Sequence, residues 1–302
     1  MELMEHALID FEKGTSMQPT RSIHALPNEN LFGFMPAWLG DDEYFGAKVI
    51  NACHRNVGTS YPSHAGYIMM FDAVHGMPLG LVNAMQVTQI RTGAVSGVAT
   101  NKLARTDATT LTLIGAGAQA YSHMEAICLV RKIDRVFIYD KKKESALKFK
   151  DTIEKKYPVE IIVCNETKDA VQDADIVCTL TPSKEPYLEA EWIKPGTHIN
   201  AVGAFTPTTR EITSKLMSQV RLYADSIESM KKECGEFLIP KQEGLFDTTH
   251  IQGSIGGILN GTHSGRCTKD EITLFDALGL AIEDVICGKY FCEEYSKKKM
   301  SV

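Results

Sequence analysis

The chain has 302 residues, a formal net charge of −6, 44% hydrophobic residues and 23% charged residues. That length is enough for two ordinary domains with their own cores, and the composition is that of a folded globular protein. There is no basic block beyond short lysine runs, so nucleic acid is not expected as a partner, and no apolar stretch reaches the roughly 18 residues a membrane span needs. Glu2 and Glu5 stand in an amphipathic opening segment, where a secretory signal would put a basic region and an apolar core. The eight cysteines contain no C-x-x-C pair, which favours reduced thiols in a cytoplasmic protein over a disulfide framework or a zinc site; no metal is expected.

Taken in chain order, residues 1–13 read as an amphipathic helix with Leu3, Met4, Ala7, Leu8 and Phe11 on one side. Between Gly14 and Asn83, short extended runs (Lys48–Asn51, Tyr67–Phe71, Pro78–Val82) alternate with Gly, Pro, Asn and Asp, the pattern of an antiparallel or mixed sheet. Val87–Arg105 carries Ile90, Ala94, Val98 and Leu103 at helical spacing. Strands are then predicted at Leu111–Ile114, Val136–Tyr139, Glu160–Val163, Asp175–Leu180, His198–Val202 and Val220–Tyr223, with helices at Gln119–Arg131, Lys143–Lys156 and Thr167–Gln172. Such alternation predicts a parallel sheet covered on both faces. An apolar stripe of Ile272, Phe275, Leu278, Leu280 and Ile282 predicts a helix over Lys269–Gly288, and the Lys297–Lys299 run reads as a solvated terminus.

The predicted strand Leu111–Ile114 runs straight into Gly115-Ala-Gly117-Ala118-Gln119-Ala120 and then into a helical pattern. This is the strand, tight turn and helix start of a dinucleotide-binding unit in its G-x-G-x-x-A form. The first glycine serves the turn, the second lets backbone approach a pyrophosphate, and the helix N-terminus offers N–H groups and a positive dipole end. The next strand ends in Asp140, 23 residues after Gly117, where an acidic residue would hold a ribose hydroxyl. A carboxylate there favours NAD, because it repels a 2′-phosphate; Lys141, Lys142 and Lys143 follow at once and leave NADP open. Thr181, Val202 and Gly203 stand at later strand ends, where the nicotinamide half would lie.

Several segments together resemble the ornithine cyclodeaminase/mu-crystallin family, which includes archaeal-type alanine dehydrogenases and ketimine reductases. They are Met17-Gln-Pro-Thr-Arg21, Phe34-Met-Pro-Ala37, Gly46-Ala-Lys48-Val, Gln89-Ile-Arg91-Thr-Gly-Ala94, Ile114 to His123, Glu191 to Gly203, Tyr223-Ala-Asp225-Ser, and Gly265-Arg266 through Phe275 to Asp284. The resemblance implies an α/β fold with a Rossmann-type doubly wound parallel sheet and a second α+β domain for substrate and dimerisation. With composition shifts near residues 90 and 270, it places the Rossmann domain at 93–269 and the discontinuous substrate domain at 1–92 and 270–302. A homodimer acting on a small amino or imino acid follows.

The resemblance also assigns roles. Arg21, Lys48 and Arg91 match positions that clamp the substrate carboxylate, a task that suits the planar fork of arginine and the point charge of lysine. Asp225 matches the family's catalytic aspartate and stands where a strand ends, fit to exchange a proton at the substrate nitrogen; a cap on the helix beginning at Ser226 is the competing reading. His64 reads as a hydrogen-bonded structural residue. Cyclodeaminases carry Glu-Leu-Met-Pro where this chain has Gly33-Phe34-Met35-Pro36, so no carboxylate stands ready for the terminal amine of ornithine. The expectation is an NAD(P)-dependent oxidoreductase working at Cα of a small L-amino acid or cyclic imino acid, in a pocket made more apolar by Phe34 and Met35. Ornithine cyclodeamination to proline and ammonia is the alternative, and a crystallin-like cofactor-binding protein without turnover the second.

Overall fold

The computed structural model describes residues 1–40, 44–56 and 59–300. Its elements in chain order begin with helix α1 (Glu2–Lys13) and strands β1 (Ser22–Leu26), β2 (Asn30–Trp38), β3 (Tyr44–Ala52), β4 (His64–Asp72) and β5 (Pro78–Asn83). Next come α2 (Ala84–Leu103), β6 (Thr110–Ile114), α3 (Ala118–Val130), β7 (Arg135–Tyr139), α4 (Lys143–Ile153), β8 (Glu160–Val163), α5 (Thr167–Val171), β9 (Ile176–Thr179) and β10 (His198–Ala201). The chain finishes with α6 (Ser214–Met217), β11 (Arg221–Ala224), α7 (Ile227–Glu233), α8 (Gly235–Gln242), β12 (Ile251–Ser254), α9 (Ile255–Asn260), β13 (Thr273–Asp276) and α10 (Ala281–Met300). No described helix is long and apolar enough to cross a membrane.

Two compact units result: Thr92–Leu278 with Met1, and Glu2–Arg91 with the chain from Gly279 onward. The larger holds an eight-stranded sheet in the order β12-β11-β13-β10-β9-β6-β7-β8, every pairing parallel. The strands are short; β9, β10 and β13 are buried throughout, as a sheet covered by helices requires, while β7, β8 and β12 toward the edges are partly exposed. Leu111, Leu113, Met124, Ile127 and Phe149 form the core on one side, and Val177, Ile199, Leu222, Phe237 and Leu274 on the other. The strand order reverses between β6 and β9, so the crevice at their carboxyl ends is the topological switch point where open α/β sheets bind ligands.

The smaller unit is an antiparallel five-stranded meander, β1 to β5 in chain order. Cross-strand partners share a face, so Met35, Lys48 and Ile68 point to one side and Phe34, Val49 and Tyr67 to the other. The first face is covered by helix: a Cβ on Gly288 of α10 would stand 2.3 Å from the sulfur of Met70. The second exposes Phe32, Phe34, Tyr67 and Leu81.

Three expectations need correction. Lys269–Gly288 is not one helix: Thr273–Asp276 is a strand of the parallel sheet, Gly279 breaks the chain at φ +82°, and α10 starts at Ala281. A strand buried on both faces shows a continuous apolar run that cannot be told from a helical stripe by periodicity. Residues 270–278 accordingly fall in the parallel-sheet unit, and the boundary expected at 269/270 moves to 278/279. Phe34 and Met35 do not line one pocket together, since adjacent strand residues face opposite ways; Met35 is buried and Phe34 is exposed.

Candidate active site

At the end of β6, Gly115 adopts φ +101°, and a Cβ there would stand 2.9 Å from the Leu180 carbonyl oxygen beyond β9. Only glycine permits both the left-handed conformation and that approach. Its N–H donates to the Tyr139 carbonyl at 2.8 Å, which ties the loop to β7. Gly117 is the N-cap residue of α3, has no side-chain cap, and has open space where its Cβ would be. Ala118 and Gln119 open the helix, so the first turn presents N–H donors and the positive dipole end to that space, a cradle suited to a pyrophosphate. Asp140 closes the other side: its Oδ2 accepts from Ala116 N–H and its Oδ1 from Lys142 N–H, each at 2.8 Å. The carboxylate is thereby fixed at the loop, where an adenosine ribose would meet it. Among the three lysines that follow, Lys143 is engaged with Asn165 Oδ1 at 2.9 Å.

Thr181, Val202 and Gly203 stand at the carboxyl ends of β9 and β10. A residue that no motif pointed to ties Thr181 to Gly203. Glu211 accepts from Thr181 N–H (2.8 Å), Thr181 Oγ1 (2.6 Å), Tyr187 OH (2.7 Å) and Gly203 N–H (2.9 Å). It is fully buried, and burial pushes its carboxyl above the ordinary range although these donors favour the charged form. Gly203 must be glycine because a Cβ would lie 2.1 Å from the Thr181 carbonyl oxygen.

Asp225 directly follows β11, buried, with Oδ1 accepting from Ser226 N–H at 2.6 Å. The capping hydroxyl of α7 belongs to Ser226, whose Oγ accepts from Ser229 N–H at 3.2 Å. Thus the cofactor candidates and Asp225 all lie at the carboxyl edge of the parallel sheet.

In the five-stranded unit, Lys48 of β3 and Arg91 of α2 are brought together by two acids of α10. Lys48 Nζ lies 2.6 Å from Asp284 Oδ2; Arg91 Nη1 lies 2.6 Å from Glu283 Oε2 and its Nε 3.3 Å from Asp284 Oδ1. All four side chains are no more than 6% exposed. Burial pulls the Lys48 ammonium below its ordinary range, and the charge of Asp284 works against that shift. Two buried carboxylates thus hold two desolvated cations in fixed positions. Arg21 directly precedes β1 in the same unit and is half-buried. Gly33 lies on the Lys48 face of the sheet, where its Cβ would stand 3.1 Å from both Ile23 and Ile50. His64 opens β4 beside the Ser63 hydroxyl, 3.1 Å from its Nδ1. Among the described residues, no three His, Cys, Asp or Glu side chains gather as a metal site.

The sequence profile of the ornithine cyclodeaminase/mu-crystallin family matches residues 1–299. The chain belongs to this family. Its relatives in the ornithine cyclodeaminase/mu-crystallin family include the ketimine reductase mu-crystallin of Mus musculus, 34% identical over 300 residues, 98% of this chain and 92% of the mouse protein. The Thermococcus litoralis Δ1-pyrroline-2-carboxylate reductase, solved in complex with NADH and L-proline, superposes with a TM-score of 0.95 at 35% identity, covering 99% of this chain and 93% of that one. An archaeal alanine dehydrogenase dimer with bound NAD superposes with a TM-score of 0.93 at 30% identity, covering 99% and 91%. Sequence reasoning left Glu283 and Asp284 without a role although they stand in a quoted motif, and it passed over Glu211.

Proposed function

We propose that this chain is a cytoplasmic, homodimeric, NAD-dependent oxidoreductase acting at Cα of a small L-amino acid or cyclic imino acid, with reduction of a cyclic imine carboxylate of the Δ1-pyrroline-2-carboxylate type as the favoured reaction. The observation that carries this reading is the likeness, over 99% of the chain, to a reductase of that imine bound to NADH and L-proline. NADH, when bound, supplies the hydride. The Gly115–Gln119 turn and the α3 N-terminus receive the pyrophosphate, Asp140 the adenosine ribose, and Thr181, Val202 and Gly203 the nicotinamide half. Arg21, Lys48 and Arg91 hold the substrate carboxylate, and Asp225 gives the substrate nitrogen its proton as the C=N electron pair moves onto it. The exposed apolar face of Phe32, Phe34, Tyr67 and Leu81 supports a homodimer, as does the dimer of the archaeal alanine dehydrogenase. Light scattering should give twice the 33.4 kDa chain mass; a monomer at micromolar concentration would overturn that part.

Asp140 sets the cofactor preference in this reading. The parent protein should bind NADH at least tenfold more tightly than NADPH, about 1.4 kcal/mol, and Asp140→Ala should erase most of that difference. Equal or reversed affinities in the parent, measured by nicotinamide fluorescence, would hand the ribose end to Lys141 and Lys142.

The reading also separates the chain from cyclodeamination. With Gly33 set between Ile23 and Ile50, position 33 offers no counter-charge to the terminal ammonium of ornithine. An unpaired buried ammonium costs several kcal/mol after relaxation. L-Ornithine with catalytic NAD should therefore yield no proline by mass spectrometry; robust proline and ammonia would restore the cyclodeaminase reading.

A further inference from the structure

At the carboxyl edge of β9 and β10 the backbone N–H groups are all engaged by the protein itself. Leu180 N–H donates to the Ile114 carbonyl at 2.8 Å, and Val202 N–H to the Thr179 carbonyl at 3.1 Å. Thr181 N–H and Gly203 N–H donate to Glu211 at 2.8 and 2.9 Å. The Thr181 hydroxyl does the same: it donates to Glu211 Oε1 at 2.6 Å, and Tyr187 OH donates to that oxygen at 2.7 Å. An ionised carboxylate accepts and cannot donate, so Glu211 fixes the direction of both hydroxyls.

Glu211 is itself held fast. Its N–H donates to Glu236 Oε1 at 2.5 Å, and its carbonyl accepts from Tyr187 N–H at 2.8 Å and Leu188 N–H at 3.0 Å. Its side chain is fully buried, whereas Thr181 is half-buried at the end of β9. A threonine hydroxyl has one proton and two lone pairs. With that proton on Glu211, and the Tyr187 proton on Glu211 as well, Thr181 Oγ1 has only lone pairs to offer a ligand. The nicotinamide head has one group that such an oxygen can grip, the NH2 of its carboxamide.

We propose that Glu211 is a positioning residue for the cofactor: by taking the Thr181 proton it makes Thr181 Oγ1 an obligate acceptor, and this oxygen selects the carboxamide N–H of the nicotinamide. The proposal rests on the reading that puts the nicotinamide half at Thr181, Val202 and Gly203. Thr181 touches the cofactor in this role, and Glu211 acts through it.

The test is calorimetric titration with NADH and with its reduced 3-acetylpyridine analogue, in which a methyl group of similar size replaces the NH2. The parent should bind NADH about tenfold more tightly, the scale of one hydrogen bond lost with its acceptor left unpaired. Thr181→Val keeps the shape and removes the acceptor, so the two ligands should bind within about twofold of each other; Thr181→Ser keeps the hydroxyl and should restore the preference. In Glu211→Gln the new amide can turn its own NH2 toward Thr181 Oγ1 and occupy the lone pair, so the preference should fall below about threefold. Tyr187→Phe removes a different hydrogen bond from the same carboxylate and should keep the parent ratio. A role confined to bracing the two loops would weaken both ligands alike and move no ratio.

Equal binding of the two ligands by the parent would overturn the proposal and leave the NADH reading in place, whether or not any variant folds. A preference that survives unchanged in Thr181→Val or in Glu211→Gln would overturn it too. A parent that binds no NADH would instead remove the reading beneath it, and the proposal with it.

Discussion

Replacing Asp225 by Asn should lower turnover by about 10²–10⁴ while leaving NADH affinity within a factor of about two, the usual scale for losing a positioned general acid. The expectation follows from where the residue sits. It leaves β11 at the carboxyl edge of the parallel sheet, buried, whereas the cradle for the phosphates lies at β6 and α3. The helix-capping function beside it belongs to the Ser226 hydroxyl, so the Asn variant should also keep its stability to within about 1 kcal/mol. Steady-state kinetics with a fluorescence titration of NADH separates the two effects. Near-parent turnover, or a loss confined to NADH binding, would remove Asp225 from the chemistry.

Arg91→Met should have the largest effect on stability. Arg91 satisfies Glu283 and shares Asp284 with Lys48, all within a buried network of two cations and two anions. Met keeps much of the volume and removes the charge, so Glu283 and Asp284 both lose the guanidinium that pairs them. Breaking a buried pair from one side typically costs about 3–5 kcal/mol, because the abandoned charge stays desolvated. Urea unfolding should show a loss of that size, partly recovered in Arg91→Met/Glu283→Gln, which removes one of the two buried carboxylate charges as well. A loss below about 1 kcal/mol in the single variant, on the scale of a surface pair, would show that the network carries little. Substrate affinity should fall in both variants, since either lacks the guanidinium proposed to hold the carboxylate.

The parallel sheet was legible because its signals are local. A β-type run meeting Gly115-x-Gly117, and an acid at Asp140 closing the next strand, are readable from consecutive residues, and β6, β7 and β8 fall within a residue of where the pattern puts them. β1 was not legible: every residue of Ser22–Leu26 is exposed, so no alternation marks it as a strand. β13 was hidden for the opposite reason, being buried on both faces and therefore indistinguishable from a helical stripe. That one strand also brings distant residues side by side. Asp225 and Asp276 stand 51 positions apart in the chain and become neighbours only because β13 inserts between β10 and β11. Glu211 is a single acid in a loop, and its grip on Thr181 and Gly203 depends on loops that strand order alone brings together. Lys48 and Arg91 could be found by resemblance, but their acidic partners had no spacing rule to announce them.

The central claim is hydride transfer to a cyclic imine carboxylate. It is tested most directly by following NADH absorbance after addition of Δ1-pyrroline-2-carboxylate to the parent protein, with proline counted in the same samples. The account predicts sustained NADH loss with one L-proline formed per NADH oxidised, and no such change in Asp225→Asn. An inert parent under these conditions, or one that makes proline from L-ornithine with no net change in NADH, would contradict it.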